Sequence, residues 1–154
     1  MDASPAAVAR TLASGRLPGM AHVKGYFCPL RVRHATGSDG SPLLLVHDRS
    51  HLAEALVPED GGTDTGAVLS IDHPSHGRLW LSGWATRLDG IAARAAALEF
   101  AEVNPVSDLL GIGEGHSIYR LDLAEVRLAH GDSLVEVDVD EYLDAEPMVL
   151  PAQR

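Results

Sequence analysis

The stretch LLLVHDRSHLAEAL, residues 43–56, joins a run of apolar residues to a helical pattern through a polar turn. Its first four residues predict a buried strand, and its last six predict a short helix. Asp48 or Ser50 can cap that helix with a side-chain oxygen. The alternative interpretation is that the turn binds a ligand through Arg49, Ser50 and His51. The stretch alone leaves capping and ligand binding open.

Period-two alternation predicts strands over much of the remaining chain. GSDGSP, residues 37–42, contains Asp39-Gly40, a hairpin signal that places a strand on each side of it. SIYRLDLAEVRLAH, residues 117–130, alternates except at Ala124-Glu125, where the break in phase predicts a β-bulge. The predicted strands are residues 20–27, 28–36, 42–47, 66–74, 77–88, 117–130 and 133–143, and the predicted helices are residues 4–14, 51–59 and 91–110.

The order of these elements predicts an α+β fold that is mostly β. It indicates a barrel of about six to seven antiparallel strands, because closing a sheet removes its exposed edges. The short helix follows the third strand, and the longer helix precedes the last two. We expect one domain over residues 1–146 and a flexible tail over residues 147–154.

The net charge of −10 is unevenly distributed along the chain. Residues 99–146 hold 13 acidic residues against two arginines. This argues against nucleic-acid binding, and the acidic half is either a solvated surface or a contact for a basic protein partner. No segment reaches the roughly 20 apolar residues of a membrane span. The N-terminal residues do not read as a secretory signal, and Cys28 is the single cysteine, so we expect a cytoplasmic protein.

Three segments carry a resemblance to a known family. They are LLLVHDRSHLAEAL (residues 43–56), LWLSGWA (residues 79–85) and SIYRLDLAEVRLAHG (residues 117–131). In this order the chain resembles the FMN-binding split β-barrel family of pyridoxamine 5′-phosphate oxidase, and within it the barrel domain of the haem-utilisation branch. The likeness covers roughly residues 5–145 and rests on loose apolar patterns.

The resemblance implies a cofactor site. Family members hold the FMN phosphate with basic side chains from adjoining strands and with groups of the strand-to-helix turn. The matching positions here are Arg31 and Arg33 on one strand face, with Arg49, Ser50 and His51 in the turn. The lysine that usually accompanies the phosphate is missing, and the order of the turn residues differs.

Aromatic residues add a second expectation to this site. Trp80 and Trp84 are four apart and share a strand face, so Trp84 either stacks on an isoalloxazine ring or belongs to a core or dimer interface. The family likeness also implies a homodimer with the ligand between subunits, and we place Leu79 and Leu81 beside the tryptophans at that contact.

Two pairs of closely spaced histidines are candidate ligands of a metal or of haem iron: His47 with His51, and His73 with His76. No cysteine cluster or carboxylate pattern accompanies them, so we predict no zinc site. Haem needs a single axial histidine, which any of these residues can supply. Three functions follow as hypotheses: a barrel that binds flavin or haem at a homodimer interface, an FMN-dependent oxidoreductase, and a cofactor-free protein-interaction module.

Overall fold

The computed structural model describes residues 4–58 and 62–148, and strands are more abundant in it than helices. The strands within these ranges are β1 (Gly19–Val23), β2 (Leu30–Thr36), β3 (Pro42–His47), β4 (Asp64–His73), β5 (Gly77–Arg87), β6 (His116–His130) and β7 (Ser133–Val137). The helices are α1 (Pro5–Leu12), α2 (His51–Ala55), α3 (Gly90–Val103) and α4 (Val139–Asp144), with a 3₁₀ turn at Ser107–Gly111.

Six antiparallel strands close into a barrel, as predicted. They follow the order β3-β2-β1-β4-β5-β6, and β6 returns to pair with β3. Because β6 is 15 residues long, its first part pairs with β3 and its last part pairs with β7. The seventh strand is therefore an extension of the barrel. The α+β class, the short helix after β3 and the longer helix before β6 are all confirmed.

Aliphatic side chains fill the barrel, and helix α1 packs on it. Leu79, Leu81 and Leu121 have no exposed surface, because alternate residues of β5 and β6 point inward. Ser4 caps α1 by accepting a hydrogen bond from Ala7 N–H at 3.1 Å. Burial of Leu79 and Leu81 corrects the expectation that they lie at a dimer contact.

The predicted irregularity in the last long strand is present. Ser82 pairs with Glu125 whereas Gly83 pairs with Leu123, so Ala124 is an extra residue on β6. A Cβ at Gly83 would stand 2.0 Å from Asp122 O, which shows how closely the two backbones approach at the bulge. Glycine is the residue that this approach permits.

The strand predicted over residues 133–143 is wrong in its second half. Strand β7 ends at Val137, and Asp138 caps helix α4 by accepting from Glu141 N–H at 3.2 Å. Helix α4 then docks on α1, where Arg10 Nη1 donates to Tyr142 O at 3.1 Å and to Leu143 O at 2.8 Å. A contact 132 residues away in sequence thus favours helix over strand.

The tail predicted over residues 147–154 is described only at its start. Met148 N–H donates to Thr11 Oγ1 at 2.8 Å, and residues 149–154 lie outside the described residues. None of the described helices has the length and apolar character needed to cross a bilayer.

Candidate functional site

A cavity of about 440 Å³ opens where β2, β3 and the turn before α2 meet the start of β6. Aliphatic side chains form much of its wall, and basic and imidazole groups converge on it. The residues that line it are Leu30, Arg31, Val32, Arg33, Leu45, Val46, His47, Ser50, His51, Leu52, Asp108 and His116. Of the residues predicted to bind a cofactor, five line this cavity and two, Arg49 and Trp84, do not; the five are Arg31, Arg33, His47, Ser50 and His51.

The arginine pair lies on the exposed face of β2. Arg31 and Arg33 alternate with the buried residues Val32 and His34, so both guanidinium groups are on the same side of the strand. Arg33 Nη1 donates to Asp108 Oδ2 at 2.9 Å, and both side chains of this ion pair are about half exposed. The shared face predicted for the pair is therefore confirmed, and one of the two arginines already has an acidic partner.

Two histidines face each other across neighbouring strands. His47 on β3 is the register partner of His116 on β6, and their rings meet edge to face with centroids 4.8 Å apart. His116 Nε2 is also 3.7 Å from Asp108 Oδ2. One carboxylate thus lies close to both a guanidinium group and an imidazole at the cavity.

The turn itself is held by its own hydrogen bonds. Ser50 Oγ donates to His47 O at 2.6 Å and accepts from Ala53 N–H at 3.1 Å, so Ser50 is the N-cap of α2. Asp48 Oδ1 instead accepts from Ser117 Oγ at 2.6 Å, which joins the turn to β6. Of the two capping candidates, the structure selects Ser50.

Arg49 and Trp84 are located elsewhere. Arg49 is exposed at the turn and does not line the cavity. Trp84, half exposed on β5, lines a separate cavity of about 230 Å³ that also contains Lys24, Val57 and Thr65. Within one chain, Trp84 and the arginine pair therefore serve different cavities.

Asp108 and His116 were not predicted from the sequence. Asp108 reaches the cavity from the 3₁₀ turn between α3 and β6, and His116 reaches it from the first position of β6, where the strand pairs with β3. The sequence offered one usable signal, because His116 begins the strongly alternating strand that closes the barrel. Its register against His47 depends on pairing between distant segments, which local patterns do not specify.

No protein-family model matches the chain, and no curated protein does. Among solved structures, the chain is similar to a haem-binding protein from Mycobacterium smegmatis at 22% identity and a TM-score of 0.77, over 96% of this chain and 63% of that one. The chain thus spans less than two thirds of that protein's length. Campylobacter jejuni ChuZ is similar at 9% identity and a TM-score of 0.61, over 94% of this chain and 64% of that one.

A third similar structure has a different description. It is a Clostridium acetobutylicum protein related to general stress protein 26 of B. subtilis, described as of the pyridoxinephosphate oxidase family. Identity is 15% and the TM-score is 0.56, over 81% of this chain and 87% of that one. The architecture and these likenesses together show that the chain has the split-barrel fold of the pyridoxamine 5′-phosphate oxidase-like proteins.

Proposed function

We propose that this protein is a haem-binding barrel and that the cavity of about 440 Å³ between β2, β3 and β6 is the haem site. One observation carries the proposal: three imidazoles and two guanidinium groups line a cavity whose remaining wall is largely aliphatic. Haem iron takes an imidazole as an axial ligand, and guanidinium groups pair with carboxylates such as the propionates. Aliphatic walls favour the apolar macrocycle.

The residues present fit this group. The cavity volume is within the range of sites that hold drug-sized ligands, roughly 300–1,000 Å³. Arg31 has no ion-pair partner in the described ranges, so its guanidinium is available to an anionic group. The M. smegmatis protein, similar over nearly the whole of this chain, is described as haem binding, which supports the proposal.

Titration of the purified protein with haemin tests this function. We expect a Soret band shifted from that of free haemin, with a stoichiometric end point. The control is the double variant Arg31→Ala/Arg33→Ala, which should bind haemin more weakly without unfolding, because both side chains are exposed. A haemin spectrum unchanged by the protein would contradict the proposal.

FMN is the second candidate, and the arginine pair is the observation that favours it. Two guanidinium groups on one strand face suit a phosphate dianion. Bound FMN would supply redox chemistry and make the protein an oxidoreductase. The Ser50 hydroxyl, however, already makes two hydrogen bonds within the turn, and α2 has only five residues. FMN titration followed by flavin fluorescence quenching gives the comparison, and FMN binding tighter than haemin binding would reverse our ranking.

We propose further that the protein is a homodimer with its ligand between subunits, as the family likeness implies. Exposed apolar side chains support an interface: Trp84 is 50% exposed and Val57 is 63% exposed at the same hollow. Because Trp84 and Arg31 line different cavities of one chain, Trp84 would meet the ligand from the second subunit of the proposed dimer.

A further inference from the structure

The three histidines of the cavity differ in which ring nitrogen is free to bind a metal. A neutral imidazole has one N–H and one lone pair, and the hydrogen bond at one nitrogen decides the role of the other. A metal-ligating histidine commonly presents its other nitrogen as an N–H to a carboxylate or carbonyl. The surroundings of each ring therefore indicate which histidine can ligate iron.

His47 has the wrong arrangement for a ligand. Arg49 N–H donates to His47 Nδ1 at 3.1 Å, so Nδ1 carries the lone pair. In the neutral ring the proton is then on Nε2, and ligation through Nε2 would require the loss of this turn hydrogen bond. His47 is instead a hydrogen-bond donor that lines the cavity.

Both ring nitrogens of His116 have close neighbours. Nε2 is 3.7 Å from the Asp108 carboxylate, and the side chain is only 19% exposed. The other nitrogen lies against Gly111, where even a Cβ would come within 2.8 Å of His116 Nδ1. An iron ligand bond at Nδ1 has no room, and one at Nε2 would displace the contact with Asp108.

His51 is the cavity histidine whose Nε2 is most accessible to a ligand. Its Nδ1 is 3.7 Å from Glu54 Oε2, and its side chain is 79% exposed at the first position of α2. Within residues 4–58 and 62–148, Nε2 of His51 has neither a hydrogen bond nor an ion pair. The 3.7 Å separation is longer than a hydrogen bond, but a carboxylate near Nδ1 favours the tautomer with the proton on Nδ1, which leaves the Nε2 lone pair free.

We propose, on the basis of the haem-binding function proposed above, that His51 is the axial ligand of the haem iron through Nε2. Glu54 is a positioning residue that holds the proton of His51 on Nδ1. His47 donates from Nε2 to an anionic group of the same ligand, together with the arginines. The spacing of His47 and His51 thus reflects two different roles rather than a shared metal.

Paired titrations with haemin and with iron-free protoporphyrin IX separate ligation from general packing. We expect His51→Ala to weaken haemin binding by at least tenfold and to change the Soret position and the spin state, while protoporphyrin IX affinity stays within twofold. His47→Ala should weaken binding of both compounds by a similar factor and leave the Soret position unchanged. Added imidazole should restore the wild-type spectrum to His51→Gly.

Two results would overturn the assignment. One is a His51→Ala variant whose bound haemin has the same spectrum as in the wild-type complex. The other is loss of that spectrum in His116→Ala or His47→Ala while His51→Ala retains it. Failure of the haem function itself looks different, because the wild-type protein would then leave the haemin spectrum unchanged.

Glu54→Gln tests the positioning role through a property that packing does not control. A carboxylate facing Nδ1 increases the electron donation of the imidazole and stabilises ferric iron. We therefore expect Glu54→Gln to raise the reduction potential of the bound iron while haemin still binds. An unchanged potential would remove Glu54 from the proposal.

Discussion

In the proposed haem site, Asp108 would compete with the ligand for Arg33. Its carboxylate accepts a hydrogen bond from Arg33 Nη1 at 2.9 Å, which occupies a donor that an anionic ligand group would otherwise use. A hydrogen bond to a charged group contributes about 1.5–3 kcal/mol, which corresponds to roughly 10- to 150-fold in affinity. Arg33→Ala should weaken haemin binding by a factor within this range in absorbance titrations. It should change the free energy of unfolding by less than about 1 kcal/mol. Arg127→Ala is the control and should bind as wild type, because the ion pair of Arg127 with Glu125 lies where β6 pairs with β7, beyond the part that pairs with β3 at the cavity.

Substitution of Asp108, the ion-pair partner of Arg33, should change haemin affinity in the opposite direction. Asp108→Asn leaves Arg33 free and removes a negative charge beside the ligand's own carboxylates, so haemin affinity should rise several-fold at low salt and less at high salt. Weaker binding in Asp108→Asn would show that the carboxylate helps to build the site instead of competing with the ligand.

A buried histidine makes stability depend on pH. His34 is 1% exposed, its Nε2 donates to Leu17 O at 2.8 Å, and burial lowers its pKa despite that hydrogen bond. Below the unfolded-state pKa of about 6.5, the unfolded chain binds a proton that the folded protein does not, so the free energy of unfolding falls as pH decreases toward the folded-state pKa. Urea unfolding between neutral pH and pH of about 5 should show this loss. His34→Gln should have a shallower loss, and His22→Gln, at an exposed site, should follow wild type; equal slopes in all three would contradict the prediction.

Single residues were predictable where the strand period fixes their face. Arg31 and Arg33 share a face because they are two apart, and the structure confirms it. Asp108 escaped prediction because it meets Arg33 across 75 residues of sequence, through a 3₁₀ turn whose position depends on barrel closure. Sequence periodicity describes the environment of a residue within its own element and not its partners from other elements.

The capping role predicted for the polar turn is present at helix α2. With five residues it depends strongly on its cap, and Ser50 supplies that cap. Ser50→Ala should lower the free energy of unfolding by about 1 kcal/mol, and Ser50→Asp or Ser50→Thr should recover most of the loss. Denaturant unfolding measures this directly. Loss of haemin affinity in Ser50→Ala and Ser50→Asp, but not in Ser50→Thr, would instead make the hydroxyl a ligand contact.

The bulge between β5 and β6 sets a steric limit on this sheet. Gly83→Ala would place a methyl group 2.0 Å from Asp122 O, so the strands must separate locally. We expect a loss of about 1–3 kcal/mol in the free energy of unfolding, by analogy with overpacked sites. Gly66→Ala on the neighbouring strand β4 is the matched control, because its nearest new contact would be an ordinary 3.5 Å from the Trp84 ring. Equal losses in the two variants would mean that the glycines matter through backbone entropy and not through close approach.

Elements were predictable where one local pattern was compatible with one structure. Alternation located the strands and even the bulge at Ala124. The strand prediction for residues 138–143 failed because VDVDEYL, residues 137–143, alternates like a strand. Asp138 can also cap a helix, which that alternation does not reveal. The choice rests on burial of Tyr142 against Arg10, a contact that no local pattern contains.

At the scale of the whole molecule, closure of the barrel was predictable and its consequences were not. Seven predicted strands with few helices favoured a closed sheet, but the division of β6 between β3 and β7 emerges only from the pairing. The acidic half is a similar case. Exposed carboxylates such as Glu136, Asp140 and Glu141 follow from the sequence, whereas a basic protein partner for them remains a prediction.

The homodimer and the ligand site are coupled if Trp84 contributes to both. Trp84 on β5 and Val57, which follows α2, are exposed apolar residues that line the same hollow. We expect the wild-type protein to sediment as a dimer at micromolar concentration. Trp84→Glu should shift it toward monomer and weaken haemin binding at the same time, because a buried unpaired charge opposes the contact.

The matched control for this experiment is Leu134→Glu on β7, a 63% exposed apolar residue remote in sequence from Trp84. It should leave both the sedimentation and the haemin titration as in the wild type. A second exposed apolar surface, on α3, is an alternative dimer interface. Ile91 and Leu98 lie two turns apart on this helix and are 86% and 72% exposed. If Ile91→Glu/Leu98→Glu dissociates the dimer while Trp84→Glu does not, the subunits meet through α3. Trp84 then has no part in the ligand site, and the cavity between β2, β3 and β6 must bind haem within a single chain.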